Sequence, residues 1–141
     1  MEQRAGIPVT LRGFDAAGAA VKADFPIQEV VENFHTQFQS EWAKRTRKLS
    51  LTQPVAVEGN FVRLDAGSRF LRYLIPFIAG QAVLEVEAKA TIDGRPLLDF
   101  HRVFKYSMGL FGGSSKSLLT CGAGDAASHI VKQIVGQLKR Q

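Results

Sequence analysis

The fold is decided by two neighbouring runs of sequence, QAVLEVEAKATI (Gln81–Ile92) and PLLDFHRVFKYSM (Pro96–Met108). Apolar and charged side chains alternate in the first run, which is typical of a strand with one buried face. Asp93 and Gly94 stand between the runs and favour a hairpin turn. The two runs therefore predict an antiparallel strand pair with one apolar and one solvated face.

The register of this hairpin depends on the length of its loop. A two-residue loop would set Asp99 opposite Ala88 on the apolar face. A three-residue loop sets Phe100 opposite Ala88 and Asp99 opposite Lys89 on the solvated face, and this is the register that we predict. It leaves Arg102 on the apolar face, where it needs a partner carboxylate, an exit to solvent or a bulge.

Four further elements complete a predicted order of β-α-β-β-β-α. The pattern indicates a strand at Ile7–Phe14, a helix from an Asp24 N-cap to Lys48, a strand at Val55–Leu64 and a helix that begins after an Asp125 cap. Segments 15–23 and 109–124 are rich in small residues and are predicted to be loops. Gly59 is predicted to mark a bulge or a close approach of two backbones.

The first predicted helix carries one apolar stripe. Phe34, Phe38 and Trp42 recur at steps of four residues, so we expect these side chains to be buried against the sheet. With 141 residues, the chain is predicted to be a single α+β domain over residues 1–141. Its sheet is expected to be mainly antiparallel, with both helices packed on one face.

The sequence predicts no catalytic, cofactor-binding or metal-binding residues. His35, His101 and His129 lack metal-ligand spacing, and Cys121 is the only cysteine. The pattern Gly-x-Gly-x-x-Ala at 122–127 lacks the strand that must follow it in a dinucleotide-binding unit. We therefore expect a protein that is not an enzyme and that uses no cofactor.

A formal charge of +5 favours anionic partners. A soluble module that binds anionic ligands through a basic surface is accordingly the alternative function, although nucleic acid is not the expected partner.

Several short runs resemble the bacterial domain-of-unknown-function family 4410. The resemblance rests on Gly67–Arg72, on Phe77–Ala82 at the start of an alternating strand, on Gly94 in a turn and on Leu110–Gly113 after the hairpin. Many members of that family look like lipoproteins of the Gram-negative envelope. The resemblance implies an envelope-associated, lipoprotein-like module without enzymatic activity, which contacts a protein partner or a membrane surface.

Chain direction predicts where such contacts lie. The start of one hairpin strand lies beside the end of the other, so segments before Gln81 and after Met108 meet at one end of the sheet. We call their side chains the apolar rim and predict that it binds a protein partner, a second copy or a membrane surface. The predicted interaction residues are Arg69, Phe70, Arg72, Tyr73, Phe77, Ile78, Leu110, Phe111 and Lys116.

The expected location follows from the same resemblance. The N-terminus has no apolar core of the secretory kind, which by itself predicts the cytoplasm. If a leader has been removed, the expected place is the periplasmic side of the cell envelope.

Overall fold

In the described part of the chain, five strands form one mixed sheet, and two helices cover one of its faces. This computed structural model describes residues 7–22, 27–49, 53–65, 82–106 and 115–140. The elements are β1 (Val9–Gly13), β2 (Ala20–Lys22), α1 (Gln28–Thr46), β3 (Val55–Asp65), β4 (Ala82–Ile92), β5 (Arg95–Tyr106) and α2 (Ser115–Leu138). The predicted α+β class and the order of the six predicted elements are confirmed, and β2 is an additional short strand.

The sheet has the order β1-β3-β4-β5, and β2 also pairs with β3. Both β1 and β2 run parallel to β3, β1 along its first half and β2 along its second half. The β3–β4 and β4–β5 pairs are antiparallel. The prediction of a loop throughout 15–23 is therefore wrong at Ala20–Lys22, where a run too short to show periodicity is held by its pairing to β3.

The predicted hairpin register is confirmed, but its origin differs from the prediction. Lys89 pairs with Asp99 and Ala88 with Phe100. The turn, however, contains only two residues, Asp93 and Gly94, both with positive φ. Leu97 restores the predicted register because it is left without a partner: Ala90 pairs with Leu98, and Thr91 pairs with Pro96. A bulge in β5 thus gives the register that we assigned to a longer loop.

The apolar stripe of α1 packs on the inner face of the sheet, as predicted. Phe34, Phe38 and Trp42 are all buried. The Phe38 and Trp42 rings stack with centroids 6.0 Å apart, and the Phe34 ring meets Phe61 of β3 edge-on at 5.1 Å. These contacts join α1 to the sheet in one continuous core that also includes the buried side of α2.

Phe14, just after β1, ties three elements together. It has φ of 55°, its N–H donates to the Gly59 carbonyl at 2.8 Å, and its fully buried ring stacks on Phe34 at 4.9 Å. The Nε2 atom of His35 lies 3.0 Å from the Phe14 carbonyl oxygen. Both the backbone and the side chain of Phe14 therefore contact β3 and α1.

Gly59 provides the space that Phe14 occupies. A β-carbon at Gly59 would clash with the Glu87 carbonyl oxygen and would lie 2.5 Å from Phe14 Cζ. The close approach predicted at this glycine is therefore present, whereas the bulge of β3 lies further along, between Phe61 and Arg63.

Both predicted helix starts are wrong. Helix α1 begins at Gln28, and its N-cap residue Ile27 makes no side-chain capping bond, so Asp24 is not the cap. Helix α2 begins at Ser115, and Asp125 lies inside it. Glycines in the segment before Asp125 suggested a loop, but tertiary packing outweighs their low helix propensity here.

We expect Gly59→Ala to lower the free energy of unfolding by about 1–3 kcal/mol, because the added methyl group meets backbone and a buried ring. Chemical denaturation measures the loss. Gly136→Ala is the matched control, since a β-carbon at Gly136 meets nothing within 4 Å. It should leave stability unchanged or raise it by up to about 1 kcal/mol through helix propensity. Equal effects of the two substitutions would contradict the packing of Phe14 against Gly59.

Candidate interaction surface

The end of the sheet that should carry the apolar rim is defined by described residues. Ala82 pairs with Tyr106, and Val83 pairs with Asp65. The end of β3, the start of β4 and the end of β5 therefore lie side by side. Segments 66–81 and 107–114 are both attached to this end, in the way that strand direction predicts.

The predicted interaction residues themselves belong almost entirely to those two segments. Lys116 lies in the first turn of α2. The others lie outside the described residues, namely Arg69, Phe70, Arg72, Tyr73, Phe77, Ile78, Leu110 and Phe111.

Tyr106 fastens this end of the sheet to α2. Its hydroxyl lies 2.9 Å from Asp125 Oδ2, to which it donates, and 3.2 Å from the Gly122 carbonyl oxygen. The Tyr106 ring lies directly against Gly122, where an added β-carbon would be 2.6 Å from a ring carbon. The small residues of α2 thus let the helix approach β5 closely. The Gly-x-Gly-x-x-Ala pattern is therefore a packing feature inside a helix.

The environment of Tyr106 keeps its hydroxyl protonated. Burial raises the pKa of this phenol well above its usual range, and the hydrogen bond to Asp125 raises it further. Arg102 opposes these two effects only in part. The hydroxyl therefore remains a neutral donor throughout the physiological pH range.

Arg102 reaches solvent instead of meeting a carboxylate in the core. It pairs with Val86 in the register, as predicted, and is exposed. Its guanidinium carbon lies 5.0 Å from the centroid of the Phe104 ring, a cation–π contact. The His129 ring also lies near Phe104, with centroids 5.5 Å apart. Of the three explanations considered for Arg102, the exit to solvent is the one that the structure shows.

The three histidines have structural neighbours. His35 holds the Phe14 carbonyl, His101 lies 2.6 Å from Glu85 Oε2, and His129 lies 3.7 Å from Asp125 Oδ2. The described residues contain no group of three or more His, Cys, Asp or Glu side chains placed to hold a metal ion.

Neither described helix is long and apolar enough to cross a membrane. Cys121 is a free, exposed cysteine.

A second surface, on the outer face of the sheet, was not predicted as a site. A shallow groove of about 640 Å³ crosses the strands there, with the backbone of Gly59 and Ala88 in its lining. The charged and titratable side chains of Arg12, Lys89 and His101 are among those that line it. Alternation in β4 and β5 indicated a solvated face, but the positions of Arg12 and Glu58 on the same face required the pairing of β1 with β3.

Among the described residues, a mixed five-stranded sheet covered on one face by two helices forms a two-layer α+β arrangement. Residues 9–125 match the model of a domain of unknown function, DUF4410. That match covers most of the chain, and the chain therefore belongs to the DUF4410 family. No curated protein is significantly similar to it in sequence.

Three solved structures from bacteria are similar to this chain. A Xanthomonas campestris protein of the DUF330 family is 10% identical, with a TM-score of 0.54 and coverage of 98% of this chain and 90% of that chain; it shares the fold. The PelC dodecamer from Paraburkholderia phytofirmans is 12% identical, with a TM-score of 0.48 and coverage of 92% and 87%. A minor lipoprotein from Acinetobacter baumannii is 13% identical, with a TM-score of 0.42 and coverage of 89% and 91%.

We expect Tyr106→Phe to lower the free energy of unfolding by about 1 kcal/mol near neutral pH, because it removes the hydrogen bond to Asp125. The folded-state pKa of Tyr106 is raised, so its contribution is complete below the unfolded value of about 10 and declines as the pH rises above that value. The difference between the two proteins should therefore shrink in alkali.

Denaturant titrations at neutral and alkaline pH measure both effects. Asp125→Asn, which retains an oxygen acceptor for the Tyr106 hydroxyl, is the matched control and should cost less than Tyr106→Phe. A Tyr106→Phe difference that does not change with pH would contradict the role of this phenol.

Proposed function

We propose that the chain is a non-enzymatic module of the bacterial cell envelope, which contacts a protein partner or the membrane surface through the apolar rim. The observation that carries the proposal is the position of Asp65, Ala82 and Tyr106 side by side at one end of the sheet. Both segments that contain the rim residues are attached there.

The composition of the two segments supports a contact role. Phe70, Tyr73, Phe77 and Ile78 come from one segment, and Leu110 and Phe111 come from the other. Aromatic and large aliphatic side chains concentrated at one place are typical of interaction sites. Arg69, Arg72 and Lys116 add cations, which suit an acidic partner or anionic headgroups.

The described residues below the rim provide a rigid base for it. Tyr106 joins the end of β5 to Gly122 and Asp125, and Ala82 at the start of β4 is fully buried. The attachment points of both segments therefore keep fixed positions relative to α2. A fixed base lowers the entropy lost when an interaction surface is ordered on binding.

The assignment to the envelope rests on the family resemblance, because many DUF4410 members look like lipoproteins. The assignment of a non-enzymatic role is supported by the histidines, each of which lies against a carbonyl or a carboxylate of the fold. Such contacts hold the ring in place and are sufficient to account for the residue.

Replacing Phe77 and Phe111 together by Ser tests the rim. We expect this variant to lose association with a protein partner or with vesicles of anionic lipid while its melting temperature changes little, because an exposed rim contributes to binding and not to folding. Sedimentation velocity and vesicle flotation measure association, and circular dichroism measures stability.

The double substitution of Phe77 and Phe111 by Leu is the control, since it keeps both side chains apolar. This variant should associate as the parent protein does. A large fall in melting temperature for the Ser variant, with association unchanged, would mean that both side chains belong to the core. Loss of vesicle binding alone would identify the membrane surface as the contact.

The end of α1 supports the alternative, binding of anionic ligands. Lys44, Arg47 and Lys48 are exposed there, while Arg45 is paired with Glu41 at 2.8 Å. Cations at this position are also stabilised by the helix dipole. For this surface we expect only weak, unselective binding that falls steeply with salt, since binding releases counterions. Lys44→Gln with Lys48→Gln should weaken it further. Tight, salt-insensitive binding of one oligonucleotide would favour this alternative over contact through the apolar rim.

A further inference from the structure

The outer face of the sheet carries charges that alternate in sign across the strands. Arg12 pairs with Glu58, Glu58 with Lys89, and Lys89 with Asp99. All four side chains are exposed. We call this set the charge row; read from β1 to β5, its charges are positive, negative, positive and negative.

The charge row is not neutralised by contacts between its own members. Within the described part of the chain, none of the four side chains has an ion-pair partner within 4.0 Å. Both described helices pack on the other face of the sheet, with the buried core between them and the strands. The four charged groups are therefore free to meet a partner that approaches the outer face.

A second row lies nearer the rim end of the sheet. Ala20 pairs with Arg63, Arg63 with Glu85, and Glu85 with Val103. Its two inner members are oppositely charged and have partners within one copy, Arg63 with Asp65 and Glu85 with His101, and its two outer members are apolar. Val103 is 46% exposed, one of only two large apolar side chains of the described residues that are so exposed.

Both rows are complementary to themselves under a two-fold rotation. If the axis runs parallel to the strands between β3 and β4, β1 of one copy faces β5 of the other and β3 faces β4. Arg12 then faces Asp99 of the second copy, and Glu58 faces Lys89. In the second row Arg63 faces Glu85, and Val103 faces Ala20. Every side chain in the two rows thus meets a suitable partner, which is the condition for an isologous interface.

We infer that the outer face of the sheet is a self-complementary surface through which two copies of this chain associate face to face. The occupant is a second copy because the charge pattern that complements this face is the pattern of the face itself. None of the predicted rim residues is a member of the two rows, so this inference does not depend on the proposed function.

The size of the face and its chemistry set the strength of association. Strands β3, β4 and β5 have eleven, eleven and twelve residues, and β1 and β2 add five and three along one edge. At ordinary strand spacing and rise these strands cover roughly 670 Å², somewhat less than the about 800 Å² per partner of a stable interface. Charged side chains lose hydration on contact, which offsets much of their attraction. Lys22 would also face Lys105 at one corner. The dimer is therefore weak and dissociates as salt is added.

Charge reversal at Arg12 and Asp99 tests this inference. Each single variant, Arg12→Glu or Asp99→Arg, places like charges opposite each other and should weaken dimerisation at least about tenfold at low salt. The double variant restores opposite charges and should recover most of the affinity. Within one copy these residues are three strand spacings, about 14 Å, apart, so recovery would report contact between copies.

Sedimentation equilibrium of the full chain at low and high salt measures the dimer constant. Lys132→Glu, an exposed position on α2, changes the net charge as Arg12→Glu does and should leave dimerisation unchanged. A parent protein that stays monomeric at low salt would overturn the inference. So would single variants that dimerise normally, or a double variant that is no better than the singles.

The two surfaces are distinguished by the same measurement. The Phe77→Ser and Phe111→Ser double variant should keep the salt-sensitive dimer if the outer face forms it. Loss of that dimer in this variant, with no effect of Arg12→Glu, would assign self-association to the apolar rim and overturn the inference.

Discussion

The space left by the missing side chain of Gly59 is the constraint on which the rest of this structure depends. Phe14 occupies that space, and its N–H bonds the Gly59 carbonyl. Because Phe14 turns inward with a positive φ, β1 ends there and the chain rejoins the edge of β3 only at β2. The same ring stacks on Phe34, so the position of α1 is set by the contact that ends β1.

The position of α1 in turn determines the layers. Strands β2 and β3 are parallel neighbours and therefore need a crossover connection, which α1 supplies. The helix therefore packs on the sheet face that carries the apolar side chains, and α2 packs beside it. Asn33 of α1 donates to the Thr120 carbonyl of α2 at 2.7 Å, and Gly124 makes room for the Asn33 side chain. Tyr106 then joins α2 to the strand at the opposite edge from β1.

The sequence predicted the parts of this arrangement that depend on local pattern. Alternation placed Lys89 opposite Asp99, and the helical stripe placed Phe38 and Trp42 in the core. Non-local contacts decided the parts that were missed. The bulge at Leu97 is invisible in β5 alone, since only the pairing with β4 shows it. The first part of α2 was also missed, because its glycines suggest a loop. Gly122 packs against the Tyr106 ring and Gly124 against the Asn33 side chain, and neither contact can be read from the helix sequence alone. For the candidate site, strand direction was sufficient to predict which strand ends lie side by side.

The outer face shows how local pairing can have consequences for assembly. Opposite charges on neighbouring strands favour the correct register, because a slip of one residue would move them to the apolar face. If such a row crossed an odd number of strands, its signs would read the same in both directions. Two identical faces placed against each other would then set like charges opposite like charges and would repel. The charge row crosses four strands, β1, β3, β4 and β5, and four is even. Its reversal inverts every sign. A pattern that stabilises the register within one sheet is therefore, in this sheet, also a pattern that attracts a second copy.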